Sequence, residues 1–175
     1  QDVTLSYGVI DEITDTAHLT IVGDQSPYSA EGAYTVSVTV TDEAGNQTTS
    51  NAVVFTIDKT DPVTALIVGT PSYADFITSA TPLTLTAADN LTPFTTRYRF
   101  DGGPWLDYTG SFQIASEGAH LAGYRSEDAA GNIEAEQTRS LTMDNSAPVS
   151  SLSDDLPVPS GIAVPETKIT ITAAD

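Results

Sequence analysis

The chain of 175 residues has no cysteine, one methionine, one tryptophan, two histidines and only 6 Lys and Arg against 24 Asp and Glu. Each scarcity removes a class of function. Without cysteine there is no disulfide framework and no thiol chemistry, although the compartment stays open, because many bacterial secreted proteins avoid cysteine. A net charge of −18 repels phosphate backbones and anionic lipid, so nucleic acid and membrane surfaces are excluded as partners and cations become the natural small ones. No apolar run approaches the ~20 residues that cross a bilayer, and the opening QDVTLSYG has neither a basic n-region nor an apolar h-region. A sustained 3.6-residue period is also missing, whereas Thr and Val abound and turn residues recur at short intervals. Strands are expected throughout, and essentially no helix.

What the chain does contain is a duplication. Residues 31–63, EGAYTVSVTVTDEAGNQTTSNAVVFTIDKTDPV, are matched without a gap by residues 117–149, EGAHLAGYRSEDAAGNIEAEQTRSLTMDNSAPV. Gly45 and Gly131, Asp58 and Asp144, and Pro62 and Pro148 are each 86 residues apart, as are the ends of TPLTLTAAD at Asp89 and TKITITAAD at Asp175. A repeat of that length is one small domain. The register divides the chain into residues 1–60, the C-terminal part of a repeat; 61–146, a complete repeat; and 147–175, the N-terminal strands of a further one.

Within the complete repeat the alternation and turn signals place strands at 63–68, 83–87, 95–100, 105–109, 111–115, 120–126 and 133–143. Before it, strands are expected at 3–9, 18–22, 34–41 and 52–57. Residues 34–41 carry the cleanest pattern, with Tyr34, Val36, Val38 and Val40 alternating against Thr and Ser. The fold class read from this is all-β, tandem two-sheet antiparallel β-sandwiches.

Residues 95–134, TTRYRFDGGPWLDYTGSFQIASEGAHLAGYRSEDAAGNIE, resemble the OmpL-type β repeats of bacterial envelope proteins. YTVSVTVTDEAGNQTTSNAVVFTIDKTDP resembles the Ig-like repeats of bacterial adhesins and large surface proteins, which implies tandem Ig-like antiparallel β-sandwiches. Such repeats serve as stalks, spacers and adhesive tips, so the resemblance implies an extracellular or cell-surface location and an architecture more than an activity.

Strand parity in a sandwich brings the loops at one pole together. In the complete repeat that pole gathers Asp58 and Asp61 from the incoming linker, Asp89 and Asn90 from the end of the second strand, and Glu127, Asp128 and Asn132 from the late turn. Calcium accepts about six to eight oxygens from flexible sources, and this set supplies them at a domain junction, where the ion would stiffen one domain against the next. DKTDP resembles the calcium-binding linker of cadherins, without the fuller acidic pattern. Beside this stands the simpler reading that Asp42 and Asp128 cap their own turns and Asp58 merely ends a strand. At the following junction Ala147 and Asn145 replace Asp61 and Lys59, leaving Asp144 and Asp175, so a metal there is expected to bind more weakly.

No Ser/His/Asp elbow, phosphate-binding glycine loop or His-rich motif appears, and catalysis is not expected. His120 occupies the place of Tyr34 and is read as a strand-facing residue of aromatic size. Trp105 and Tyr108, with Tyr98, Phe100 and Phe112, form either a sugar-stacking platform or the filling of a small core. The register also aligns Gln1 with Ala87 and Asp175 with Asp89, so the first repeat lacks two strands that the last supplies. Three arrangements follow from it: a segment of a longer repeat protein, copies joined head to tail by strand addition, or a tail folded back within one chain. The functional reading is a structural or adhesive segment of an extracellular bacterial surface protein, acting as stalk, spacer or filament subunit by strand complementation. Its partners are neighbouring repeats or copies of itself, with a cell-surface or glycan partner in reserve. The rival readings are a carbohydrate- or receptor-binding adhesin module and an accessory domain of a secreted hydrolase.

Overall fold

The computed structural model describes residues 2–10, 18–154 and 168–174, so Asp175 of the second junction lies outside the described residues. Among these residues the chain is all-β. In order, the strands are β1 (Thr20–Val22), β2 (Gly32–Val36), β3 (Thr39–Thr41), β4 (Gln47–Thr49), β5 (Val53–Ile57), β6 (Val63–Val68), β7 (Ser72–Tyr73) and β8 (Phe76–Ile77). There follow β9 (Leu83–Ala88), β10 (Phe94–Phe100), β11 (Leu106–Asp107), β12 (Gly118–Asp128), β13 (Gln137–Met143), β14 (Val149–Asp154) and β15 (Ile169–Ala174).

Residues 63–143 build two layers. A six-stranded sheet in the order β11-β10-β12-β13-β8-β7 faces the hairpin-like pair β6-β9. Its pairings are antiparallel except for β8 on β13, which is parallel. Ile77, Leu83, Ile114, Ala122, Leu141 and Met143 fill the space between, with Leu66, Val68, Phe100 and Phe112 packed against them. Alternation explains the choice: Leu83 and Leu85 point inward from β9 while Thr84 and Thr86 flank them. A buried carboxylate fastens the layers. Glu134 accepts the Thr64 amide at 3.0 Å and the Ser126 amide at 3.2 Å, and the Thr64 and Ser126 hydroxyls lie 2.7 Å apart. Its two oxygens take amides from opposite layers, so the charge is offset where it is buried.

The preceding part is arranged differently. The uninterrupted strand expected at 34–41 is two strands: β2 pairs with β5, while β3 lies between β1 and β4. The break falls at Ser37 and Val38, where the Val38 amide bonds the Ser50 hydroxyl and the Val38 carbonyl takes the Ser50 amide. Gly23 approaches so closely there that a Cβ would lie 2.3 Å from the Ser37 carbonyl oxygen. Its counterpart 86 residues on, β12, runs straight through the same stretch.

Further strand expectations are corrected, among them 133–143, of which only Gln137–Met143 is strand while Ile133 makes a single bridge to Glu127. Residues 3–9 hold only a single bridge, Val3 to Tyr28, and 111–115 only Leu83 to Phe112. Of 105–109 only β11 remains. In addition, the short hairpin β7-β8 was not expected; it turns at Ala74, with φ 52°.

The interior of the six-stranded sheet sets a stability prediction. Leu141→Ala removes a fully buried side chain and is expected to lower the urea-unfolding free energy by about 2–5 kcal/mol. Tyr73→Ala, at an exposed hairpin apex, is expected to change it by about 0.5 kcal/mol or less.

Candidate metal centre at the module junction

Three strands end in carboxylates at one place. Asp58 follows β5, Asp89 follows β9 and Asp128 closes β12. One oxygen from each of these three lies within 4.8 Å of the others. Asp58 and Asp128 are 8 % and 6 % exposed. Among the described residues no Lys, Arg or His pairs with any of them.

Turn donors hold most of the oxygens. The Asn132 amide and side-chain Nδ2 donate to the two oxygens of Asp128, each at 2.8 Å. The matching turn 86 residues earlier repeats this, Asn46 donating to Asp42 at 2.7 and 2.8 Å. Gly131 and Gly45 adopt φ 92° and 89°, the left-handed backbone that suits glycine. Asn132 Nδ2 also reaches the Asp58 carbonyl at 3.2 Å, tying the late turn to the incoming linker. Asp58 accepts the Thr92 hydroxyl at 2.8 Å and the Thr60 amide at 3.1 Å. Asp89 Oδ2 takes the amides of Thr92 and Leu91 at 2.9 and 3.2 Å. Asp89 Oδ1 is buried and has no hydrogen-bond partner among the described residues. Burial pushes the Asp128 carboxyl up, but the bonds from Asn132, Thr92 and Gly131 together outweigh it and hold the group below its ordinary value.

Of the seven residues expected at this pole, the structure brings together Asp58, Asp89, Asp128 and Asn132. It separates the other three. Glu127 precedes Asp128 on the same strand and so points to the opposite face, where it lies 3.7 Å from Arg97. Asn90 turns away to bond Glu31. Asp61 is exposed next to the buried Pro62. Glu31 was missed: its carboxylate also takes the Thr60 hydroxyl at 3.0 and 2.9 Å, clamping the linker. Its counterpart Glu117 takes the Asn145 amide of the next linker at 3.0 Å. The EGA triplet present in both copies was the available signal.

Trp105 lies against two cations. The guanidinium carbons of Arg99 and Arg125 are each 4.6 Å from the ring centroid, and Arg99 is itself paired with Glu136. Tyr108 is half-buried, edge-on to Phe112, which stacks on Tyr98. These rings are engaged with protein groups rather than laid out as one open platform.

Asn132→Ala removes the principal donor to Asp128. In chelator the Asp128 carboxyl is expected to titrate below 3.8 in the parent chain and higher in the variant, read from its carboxyl carbon resonance. Because its folded value is depressed, the stability it contributes is present above about 3.9 and is lost as pH falls through the folded value.

Comparison with known proteins bears on the N-terminal part. No curated protein matches the chain. Among solved structures, the fibronectin(III)-like modules of Clostridium thermocellum CbhA are similar at 14 % identity and a TM-score of 0.39, over 77 % of this chain and 82 % of that one. No helix among the described residues is long and apolar enough to cross a membrane. Residues 8–59 match the family model of the bacterial Ig-like domain.

Proposed function

We propose that this chain is a structural segment of a bacterial extracellular surface protein, a stalk or spacer of Ig-like modules whose junction is stiffened by calcium. The division into residues 1–60, 61–146 and 147–175 belongs to the same proposal. The observation that carries it is the junction itself. Asp58 from the incoming linker meets Asp89 and Asp128 of the following module. Among the described residues no Lys, Arg or His pairs with them, and one buried oxygen, Asp89 Oδ1, has no hydrogen-bond partner. Oxygen ligands at variable angles suit calcium better than magnesium, which demands a near-octahedral set. An ion there would replace mutual repulsion by shared attraction and so couple the linker to the module. The work of such a segment is mechanical, and no catalytic step is assigned to it.

Thermal unfolding with calcium and with chelator tests this. At about 100 times its Kd, calcium is expected to add about 2.7 kcal/mol of stability. Asp89→Asn keeps an oxygen for the Leu91 and Thr92 amides but removes the charge, and is expected to abolish the calcium shift while leaving the chelator value near that of the parent. Equal melting temperatures in calcium and chelator for the parent chain would end the metal reading.

A second reading, assembly by strand complementation, is favoured by β14-β15. Val149 pairs with Ala174 and Ile171 with Leu152, the register of Val63 with Ala88 and Leu85 with Leu66 shifted by 86 residues. Leu85 is 4 % exposed, yet its counterpart Ile171 is 74 % exposed. A core-type residue without a core calls for an apolar sheet to lie on, supplied by a neighbouring repeat or by a second copy. Sedimentation over a range of concentrations is expected to show association that Ile171→Asp removes; a monomer at all concentrations assigns the hairpin to a neighbouring repeat instead.

A further inference from the structure

The bond that fastens the start of β12 differs in kind from its counterpart 86 residues earlier. In β2 the Tyr34 hydroxyl donates to the Ala30 carbonyl at 2.8 Å, four residues back. In β12 the same place is taken by His120, whose Nε2 lies 2.9 Å from the Ser116 carbonyl oxygen, again four residues back. The cross-strand neighbours correspond as well, Phe55 opposite Tyr34 and Leu141 opposite His120. A ring reaching back to a backbone carbonyl fixes the corner at which the chain enters a strand of an Ig-like sandwich. A phenol keeps its proton to about pH 10, whereas an imidazole exchanges one near neutrality.

The second ring nitrogen decides the charge. Nδ1 lies 2.8 Å from Asp101 Oδ2, on the turn after β10. Asp101 is held there at φ 52°, and its Oδ1 takes the Leu121 amide at 2.8 Å. A carbonyl oxygen and an ionised carboxylate only accept, so both bonds form together only when both ring nitrogens carry protons. In that doubly protonated state the Ser116 hydroxyl, 3.2 Å from Nε2, faces an N–H rather than a lone pair. The groups facing the ring are Asp101 from one loop, Ser116 from another and Leu141 from β13, while Glu117 is turned to the Asn145 amide. The His120 side chain is 12 % exposed. The bond to Asp101, then that to the Ser116 carbonyl, raises the imidazole above its ordinary 6.5. The Leu121 amide, then His120, holds Asp101 below its ordinary 3.8.

We propose that His120 is a proton-operated fastener. When protonated, it ties the start of β12 both to the loop before it and to the turn after β10. When it loses a proton, one of the two ties is released. A raised folded value means that the stabilisation is complete below about 6.5 and is lost as pH rises through the folded value. The contribution of Asp101 is complete above about 3.9 and is lost as pH falls through its own folded value. The corner is tightest in the mildly acidic range between them and slackens in alkaline medium.

His120→Tyr installs the residue of the earlier copy. Melting temperatures of the whole chain in chelator, from about pH 5.5 to about pH 8.5, are compared with amide exchange at Leu121 corrected for the intrinsic rate. The parent is expected to lose stability and Leu121 protection as pH rises, and the variant to lose less of both. The His120 ring proton is expected to titrate above 6.5 in the parent and lower in Asp101→Asn. Parallel pH profiles for parent and variant, or a ring midpoint at or below 6.5, overturn the proposal. Should His120→Tyr not fold, the ring titration in the parent and in Asp101→Asn decides alone.

Discussion

Carboxylates held within 4.8 Å of one another repel unless their charge is spread or shared. The junction exists because backbone turns supply the donors. Asp128 is satisfied by Asn132, Asp58 by Thr92 and Thr60, and one oxygen of Asp89 by the amides that follow it. The remaining oxygen of Asp89 has no hydrogen-bond partner among the described residues. Everything proposed about stiffness depends on this local surplus of negative charge, which sits where a linker enters a sandwich and where Asn132 bridges to the Asp58 backbone.

The 86-residue register carries local structure more faithfully than tertiary arrangement. The two DxAGN turns agree bond for bond, and β14-β15 copies the register of β6-β9. The strand between them does not copy: it is broken after Val36 and continuous in β12. Ser126 and Glu134 of the buried clasp correspond to Val40 and Thr48 in the earlier copy, which carry no carboxylate to take two amides. Turns are set by residues within four positions of one another, whereas sheet order depends on what lies beside each strand.

That difference also explains what the sequence revealed. β9 was legible because its alternation is strong and one face is buried. The meeting of Asp58, Asp89 and Asp128 followed from strand parity alone. Parity along a strand also excludes Glu127, but that required knowing that β12 runs without a bulge to Asp128. Glu31 and Glu134 escaped notice because an acidic residue in a strongly acidic chain looks like surface charge. Only their partners, Thr60 and Asn90 for one and two buried amides for the other, distinguish them. The bond from His120 to Asp101 escaped for a similar reason, since Asp101 in an Asp-Gly-Gly turn needs no partner to explain it.

Rigidity of the junction is the central claim, and residual dipolar couplings of backbone amides measure it directly. Couplings from β2 and β5 and from β6, β9, β10, β12 and β13 are fitted separately, in calcium and in chelator. The account predicts one common alignment tensor in calcium and two that diverge in chelator. Independent tensors in both conditions, or a common tensor that chelator leaves unchanged, would contradict it.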